Sequence, residues 1–326
     1  MTKPNKNIQS EPTLFHYCST ETFLNIIANK TLRLSDISKS NDYKETKWIF
    51  EYIEDEIIKQ FEAAPFFRGE YIRGLSEIET IKLVVRNIME KMKNRSEELM
   101  YVSCFSEDDD KLSQWRGYAD DGCGLVIGFN YHSLNTLISK CEELNLMQVL
   151  YPEDIATASQ EIKDYSERVL DSIHRALTND KLETLLNNEY GVIDIFHELS
   201  SRNFIRKSIS FKNPAFKEEN EWRIVFDGEF SKSTDWDYWY DPKEGRPRLY
   251  GEYSELFPKG LQFRTQKNKI VSFFDLSFKG FEESIIDSIT IGPKSEIQES
   301  DLDQLLGYYG YDITEIKINK STSTYR

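Results

Sequence analysis

Residues 100–130, MYVSCFSEDDDKLSQWRGYADDGCGLVIGFN, contain the pattern that decides the fold. MYVSCFSE combines small, β-branched and aromatic residues and predicts a strand, and LVIGFN predicts a second strand. Between them, DDDKLSQWRGY predicts an acidic turn followed by a short helix, and ADDGCG predicts another turn. A strand, a helix, a turn and a strand in such close succession indicate a core built from both helices and sheet.

The chain before this unit predicts a strand, a helix and a second strand. TLFHYC is apolar and aromatic, as expected for a short strand. STETFLNIIANK follows with apolar residues at helical spacing, and Ser19 or Thr20 can cap its start. TLRLSD then predicts the second strand, and residues 44 to about 98 predict helices with a turn near APFFRGEY. Residues 1–12 are expected to be a disordered tail.

The chain after the central unit predicts a helical insertion and a return to sheet. Residues 131 to about 205 show mostly helical spacing. SISFKNPAFKEENEWRIVF predicts a polar turn at Pro214 and a strand, and a loop-rich aromatic segment continues to about residue 269. SIIDSITIGPK, a helix in ESDLDQLLGYYG and a strand in ITEIKIN complete the pattern. We therefore predict a single α+β domain over residues 13–326, with an insertion at about 131–205.

Composition limits the classes of function. The chain has 326 residues, 39% of them hydrophobic and 30% charged, and a net charge of −15, which disfavours general binding to a phosphate backbone. No stretch approaches the roughly 18 apolar residues of a membrane span, and the polar N-terminal stretch predicts no secretory leader. Four cysteines without a CxxC motif predict reduced thiols in a cytoplasmic protein and no zinc site. Of two local basic stretches, Lys82–Arg95 predicts a solvated helix face, and Arg202–Lys212 is the candidate surface for a nucleic acid.

Three polar clusters remain as candidates for chemistry, because GxGxxG, GxxxxGK[ST], HExxH and GxSxG are absent from the sequence. The first, His16–Ser19, lies at a strand-to-helix junction, and its alternative is a hydrogen-bonded core histidine. The second, Ser113–Tyr118, places two aromatic rings three residues apart on one helix face, and its alternative is a core aromatic pair. The third, Glu218–Arg223, places Glu219 and Glu221 on one face of a strand, and its alternative is a solvated charge run.

These clusters together resemble the ADP-ribosyltransferase superfamily. FHYCSTETFLNII resembles its first strand and helix, VSCFSE with LSQWRGYADDGCGLVIGF its middle unit, and EENEWRIVF its final strand with a catalytic glutamate. Glu219-Asn220-Glu221 has the E-x-E form of one branch. The same stretches, with IGPK near the end, resemble over nearly the whole chain an uncharacterised bacterial family, domain of unknown function 2971. The resemblance implies a split β-sheet core, NAD as the substrate, and ADP-ribosyl transfer or NAD hydrolysis without a metal.

The resemblance also implies roles for individual residues. Glu221 would stabilise the oxocarbenium ion that develops on the ribose, with Glu219 as a second catalytic carboxylate. His16 would hold ribose hydroxyls, Tyr118 would stack on nicotinamide, and Arg116 would pair with the pyrophosphate. The complete set expected to bind NAD is His16, Tyr17, Ser19, Arg33, Ser35, Ser113, Trp115, Arg116 and Tyr118.

Several alternatives stay open on the sequence. The acceptor of ADP-ribose would be RNA, DNA or protein. A toxin or antiviral effector of this kind would have an antitoxin or regulatory protein as its partner, and no membrane partner is expected. A second hypothesis is a non-enzymatic module that binds a nucleotide or a protein in the same cleft. A third, a Mg²⁺-dependent nuclease, is prompted by the acidic runs Asp108–Asp110 and Asp120–Asp121.

Overall fold

The structure is a computed structural model that places two compact units. The first comprises residues 1–36, 101–148 and 218–326, and the second residues 37–100 and 149–217. The residues that the structure describes are 12–39, 48–63, 77–96, 100–151, 160, 162–171, 208–227, 255–282 and 284–325.

Helices and strands are interspersed along the described chain. The strands are β1 (Thr13–Cys18), β2 (Thr31–Asp36), β3 (Met100–Ser106), β4 (Leu125–Asn130), β5 (Leu144–Gln148), β6 (Glu221–Asp227), β7 (Gln262–Gln266), β8 (Lys269–Ser277), β9 (Ile286–Ile291) and β10 (Lys317–Lys320). The labelled helices are α1 (Thr20–Asn29), α2 (Trp48–Ala63), α3 (Glu77–Ser96), α4 (Leu112–Tyr118), α5 (Tyr131–Ile138) and α6 (Glu299–Tyr308). Short 3₁₀ segments at Ile37–Lys39, Asp120–Gly122 and Pro214–Glu219 connect some of them.

The ten described strands form one mixed sheet. The strand order is β10-β9-β4-β1-β3-β2-β8-β7, with β6 paired to β3 and β5 paired to β6. β9 and β10 run parallel, and the other pairs with a defined register run antiparallel. The predicted α+β class is confirmed at this level.

Strand β3 joins two parts of the sheet that are well paired internally. β1 pairs with β4 along its whole length, and β2 pairs with β8 from Thr31 to Ser35. β3, in contrast, is in register with β1 only at Phe15–Ser106, and with β2 only at its first residues. We call this region, where β1 and β2 each contact a different end of β3, the β3 junction.

Two hydrophobic clusters stabilise the first unit. The main core contains Leu14, Cys18 and Phe105 together with the apolar sides of β4, β6, β8, β9, α1 and α6. A smaller cluster of Tyr17, Trp115, Ala119 and Val126 forms around α4. Because neighbouring strand residues point to opposite faces, β1 contributes to both clusters.

The second unit is mostly helical in its described part. α2 and α3 pack through buried isoleucine, valine and phenylalanine side chains, and residues 162–171 are helical. The predicted helices at 44–98 are therefore confirmed, and the turn predicted between them lies outside the described residues. No helix in the described ranges has both the length and the apolar character that a bilayer crossing needs.

Two strand regions differ from the sequence predictions. Leu144–Gln148 was predicted to be helical within the insertion, but it is β5, because it pairs with β6 in register from Leu144–Phe226 to Gln148–Trp222. The segment predicted to be loop-rich up to about 269 contains the hairpin β7–β8, which turns at Lys267 with φ 54°. Residues 1–11, and residues 172–205 of the insertion predicted at about 131–205, lie outside the described ranges.

Candidate functional site

His16 is fixed at the β3 junction by a side-chain hydrogen bond. Its Nδ1 donates to the carbonyl oxygen of Cys104 at 2.9 Å, and its ring packs against Phe105 with centroids 5.6 Å apart. Burial lowers the pKa of His16 from its usual 6.5, against the opposing effect of the Cys104 carbonyl. A carbonyl only accepts, so Nδ1 carries the proton, and in the neutral ring Nε2 is left as an acceptor.

Cys18, two residues away on the same strand, is not arranged as a nucleophile. Its side chain is 3% exposed within the main core, and burial raises the pKa of the thiol to about 12. A thiol in such an environment stays protonated at neutral pH. Cys18 is therefore a core residue.

Tyr17 and Trp115, both expected to bind NAD, are buried in the small cluster around α4. Trp115 is fully buried and packs edge-on against Tyr17, with ring centroids 5.1 Å apart. The Tyr17 hydroxyl donates to the carbonyl of Asp108 at 2.8 Å and accepts from the backbone N–H of Lys111 at 2.9 Å. Burial, the largest influence, raises the pKa of Tyr17. In this conformation both rings are buried, so NAD could contact them only after a rearrangement.

The loop after β3 and the turn before β6 are tied together. Lys111 Nζ binds the carboxylate of Asp108 at 3.2 Å and also contacts the carbonyl of Glu218. Asn220 Nδ2 donates to Asp108 at 3.2 Å, and the Ser106 hydroxyl donates to the Glu219 carbonyl at 2.7 Å. These contacts fix the backbone on which both candidate glutamates lie.

Tyr118 and Glu219 are two candidate side chains in direct contact. The Tyr118 hydroxyl donates to Glu219 Oε1 at 3.1 Å. Tyr118 is 46% exposed, while Glu219 is 9% exposed. Trp115 and Tyr118 were expected to share a helix face, but Trp115 points into the small cluster while Tyr118, the last residue of α4, lies at the surface.

Glu219 and Glu221 do not occupy one face of a strand, which corrects the sequence prediction. Glu219 ends a 3₁₀ segment, and Asn220 has a left-handed φ of 42° before β6 begins at Glu221. Glu221 is 4% exposed and forms a two-point ion pair with the fully buried Arg223, at 2.8 Å from Nε and 3.0 Å from a terminal nitrogen. Both Glu221 oxygens are thus engaged.

The other expected ligands have separate environments. Arg33 binds Asp275 at 3.0 Å and lies 3.9 Å from the Phe273 ring centroid. Ser19 caps α1 by accepting from a backbone N–H at 3.2 Å. Ser35 pairs across to β3 and β8, and Ser113 has a buried hydroxyl with no hydrogen-bond partner among the described residues.

Arg116 lies close to Tyr325 in the C-terminal segment, residues 321–325. Its guanidinium is 5.6 Å from the ring centroid of Tyr325, whose hydroxyl donates to Asp121 at 2.7 Å. Of the basic stretch proposed for nucleic acid, Lys212 is 4% exposed and lies over the Phe216 ring. Lys212 is therefore not a surface cation, and Arg202, Arg206 and Lys207 lie outside the described residues.

The expected site therefore divides into two neighbouring groups. Tyr118 and Glu219 touch each other, and His16 bonds to the same strand, β3, that holds the Glu219 backbone through Ser106. Arg33 and Ser19 contact other parts of the first unit, whereas Ser35 also pairs with β3. Within the described ranges, no three histidine, cysteine or carboxylate side chains gather as metal ligands.

Sequence reasoning missed two structural anchors of this region. Arg223 was not singled out, although its spacing of two from Glu221 in an apolar strand was a usable signal, since such residues share a face. Asp110 was assigned to a turn, but its carboxylate accepts from Trp115 Nε1 and from residues of the segment 321–323. The sequence offers no local signal for that long-range contact.

Comparison with known proteins adds one result on the family. Neither the curated proteins nor the solved structures include a match to this chain. A family model described as "Protein of unknown function (DUF2971)" matches residues 114–224. That segment begins in α4 and ends in β6, so it includes Tyr118, Glu219 and Glu221. The match supports the resemblance of the chain to the DUF2971 family.

Proposed function

We propose that this protein cleaves NAD at the nicotinamide–ribose bond and transfers ADP-ribose to a macromolecule or to water. The observation that carries the proposal is the hydrogen bond between the half-exposed Tyr118 and the Glu219 carboxylate. An aromatic ring and a carboxylate side by side are what this reaction needs. The ring can stack on nicotinamide, and the carboxylate can stabilise the positive charge that develops on the ribose.

His16 supports the same chemistry from the β3 junction. Because its Nδ1 proton is bound to Cys104, a neutral imidazole presents Nε2 as an acceptor for a ribose hydroxyl. The limited pairing of β3 with β1 and β2 is compatible with the split sheet that the resemblance implies. In this proposal the NAD cleft follows the junction, and the fold belongs to the ADP-ribosyltransferase type.

The two glutamates take different roles in the proposal. Glu219 is the carboxylate that acts on the ribose, because its partner Tyr118 is at the surface. Glu221, which the sequence resemblance favours for that role, holds β6 through Arg223 and acts as a positioning residue. The alternative assignment, with Glu221 as the catalytic group, requires its ion pair to open when NAD binds.

The test is turnover of NAD labelled in its adenylate part, with separate pools of protein, RNA and DNA as acceptors. Release of nicotinamide reports cleavage, and transferred label identifies the acceptor class. We expect Glu219→Gln to lower turnover by about 100-fold or more, since one preorganised electrostatic contact to the transition state is lost. The neighbouring exposed glutamate provides the matched control, and Glu218→Gln should keep wild-type turnover.

Three outcomes would change the assignment. Full turnover by Glu219→Gln, with loss in a folded Glu221→Gln variant, would return the catalytic role to Glu221. Binding of NAD without nicotinamide release would favour a nucleotide-sensing module, the second candidate. The buried Glu221–Arg223 pair supports that candidate, because the charges of its two side chains neutralise each other. Absence of both NAD binding and turnover would refute ADP-ribosyl transfer.

The nuclease hypothesis is weakened by what the acidic runs contact. Asp108 binds Lys111 and Asn220, and Asp121 binds Lys294 at 2.7 Å. Asp110 holds the C-terminal segment. Three of the five carboxylates therefore have structural partners, which weakens the case for a metal-dependent reaction.

A further inference from the structure

The hairpin β7–β8 combines cationic and apolar side chains at its surface. Residues 261–274, LQFRTQKNKIVSFF, contain three cationic side chains and no carboxylate, although the whole chain has a net charge of −15. All residues from 263 to 270 are exposed. Two of them are large and apolar, since Phe263 is 65% exposed and Ile270 is 70% exposed.

The strand register separates these residues onto two faces. Phe263 pairs with Ser272 and Thr265 with Ile270, so the exposed apolar side chains lie on one face. Arg264 pairs with Val271 and Gln266 with Lys269, which puts Arg264 and Lys269 on the other face. Lys267 adds a third cation at the turn. The hairpin thus has an apolar face and a cationic face, and its edge strand β7 contributes Phe263 to the first and Arg264 to the second.

That edge is open to a further strand in the described part of the molecule. β7 is the last strand in the sheet order, with β8 on its inner side. An edge strand presents unpaired backbone N–H and C=O groups at alternate residues, which can form a ladder with an added strand. Burial, and then the nearby charge of Arg33, lower the pKa of Arg264, so a carboxylate beside this guanidinium would relieve an existing repulsion.

We propose that the outer edge of β7 binds an extended acidic peptide segment of a partner protein by strand addition. In that complex, acidic side chains of the peptide lie beside Arg264 of β7, and the alternate apolar side chains pack against Phe263 on the other face of the same strand. The backbone ladder supplies affinity, and the alternation of acidic and apolar residues supplies specificity. The test of this surface does not depend on NAD turnover.

The register also distinguishes this partner from a nucleic acid. A single strand of DNA or RNA would use the cations and stack a base on Phe263, but it would leave the backbone groups of the β7 edge without hydrogen-bond partners. A peptide strand satisfies the edge, the charge and the apolar face together. We therefore assign the surface to a peptide, and nucleic acid binding is an outcome of the test.

The test uses the full-length protein and a fluorescein-labelled peptide of repeated Glu-Val units, with anisotropy as the readout. We expect Arg264→Glu to weaken binding by at least about tenfold, because it places like charges beside each other. Phe263→Ser should weaken it by at least about threefold through loss of apolar contact. The matched control is Lys320→Glu, the same charge reversal on the opposite edge strand β10, which should leave the affinity unchanged.

Two further probes separate strand addition from charge attraction. Peptides N-methylated at every second residue, in the two possible phases, should bind differently, because only one phase removes the hydrogen bonds to β7. A repeated Lys-Val peptide should not bind. Equal binding of the two phases, an unchanged affinity for Arg264→Glu, or no binding of the Glu-Val peptide would each overturn the proposal. So would tighter binding of an oligothymidylate that Arg264→Glu abolishes.

Discussion

The segment after β10 is held to α4 mainly by the Asp110 carboxylate. Removing this carboxylate is the sharpest test of the contact. Asp110 accepts hydrogen bonds from Trp115 Nε1 at 2.8 Å and from both the backbone N–H and the hydroxyl of Thr322 at 2.7 Å. Ser321 and Ser323 add their hydroxyls. The variant Asp110→Asn removes the charge and one acceptor oxygen while keeping the size of the side chain.

The pKa of Asp110 sets the size of the stability loss expected for Asp110→Asn. Partial burial opposes ionisation, but the hydrogen bonds from Ser321, Thr322 and Trp115 outweigh it and lower the pKa from 3.8 to about 2. At about 1.4 kcal/mol for each pKa unit, this corresponds to about 2.5 kcal/mol. The carboxylate is partly open to solvent, so screening reduces the value, and we expect Asp110→Asn to cost about 1 to 2 kcal/mol.

The pH dependence follows from the sign of this shift. A carboxyl group whose pKa is lowered by folding stabilises the folded state fully at pH values above 3.8. That stabilisation is lost as the pH falls from 3.8 towards 2. The difference between wild type and Asp110→Asn should therefore be constant from neutral pH down to about 4 and shrink below it.

The assay is the free energy of unfolding from urea titration, arranged as a double-mutant cycle. The second arm replaces the three hydroxyl residues 321–323 with alanine. Because both arms remove the same contacts, the combined variant should cost little more than Asp110→Asn alone. The matched control is Thr324→Ala, an exposed residue of the same segment, which should change stability by less than about 0.5 kcal/mol. Additive costs, or a loss under about 0.5 kcal/mol for Asp110→Asn, would refute this account.

Three further predictions follow from buried groups. Glu221→Gln should lower the free energy of unfolding by about 3 kcal/mol, because it leaves a buried arginine without its counter-charge. Glu219→Gln should cost about 1 kcal/mol or less. Urea titration of the two variants compares these costs. Gly124→Ala should cost at least about 2 kcal/mol, because the added Cβ would clash with backbone oxygen atoms. In the control Gly117→Ala the added Cβ meets no atom within 4 Å, so this variant should not destabilise the fold. Equal thermal midpoints of the two variants would contradict the prediction. The His16 imidazole should titrate with a midpoint below pH 6.5 when it is followed by NMR. The free energy of unfolding should fall as the pH drops below 6.5, because only the unfolded state takes up the proton there. A midpoint above 6.5 would exclude the neutral ring.

The local elements were predictable because their signals are local. The strand, helix and strand from Thr13 to Asp36 and the unit at 100–130 appear as predicted. A capping residue at Ser19, apolar spacing in α1 and the turn residues at 119–124 all lie within a few positions of what they control. Such segments need little tertiary context to define their conformation.

The missed strands depend on partners far along the chain. LNLMQ is only five residues long, and it forms β5 because Leu144 and Leu146 pair with Phe226 and Ile224 of β6. The hairpin β7–β8 lacks the Asn-Gly or Asp-Gly signal and turns through Lys267 with a positive φ instead. A sequence pattern within one window records neither feature.

The paired glutamates show how one backbone angle changes a site prediction. Alternation along a strand would put Glu219 and Glu221 on one face. The positive φ at Asn220 interrupts the strand between them, so their side chains have different partners. One meets a surface tyrosine and the other a buried arginine, and this difference is the reason to assign the candidate catalytic role to Glu219.

The position of Tyr118 depends on contacts made by the other residues of its short helix. Trp115 is buried against Tyr17, and its indole nitrogen bonds to Asp110, which also holds residues 321–323. A seven-residue helix has little stability of its own, so these contacts keep α4 in place. Because the anchor involves residues some 200 positions apart, the sequence of the central unit could indicate the aromatic pair but not which ring would be exposed. The buried ring fixes the helix, and the exposed ring is thereby left to face Glu219.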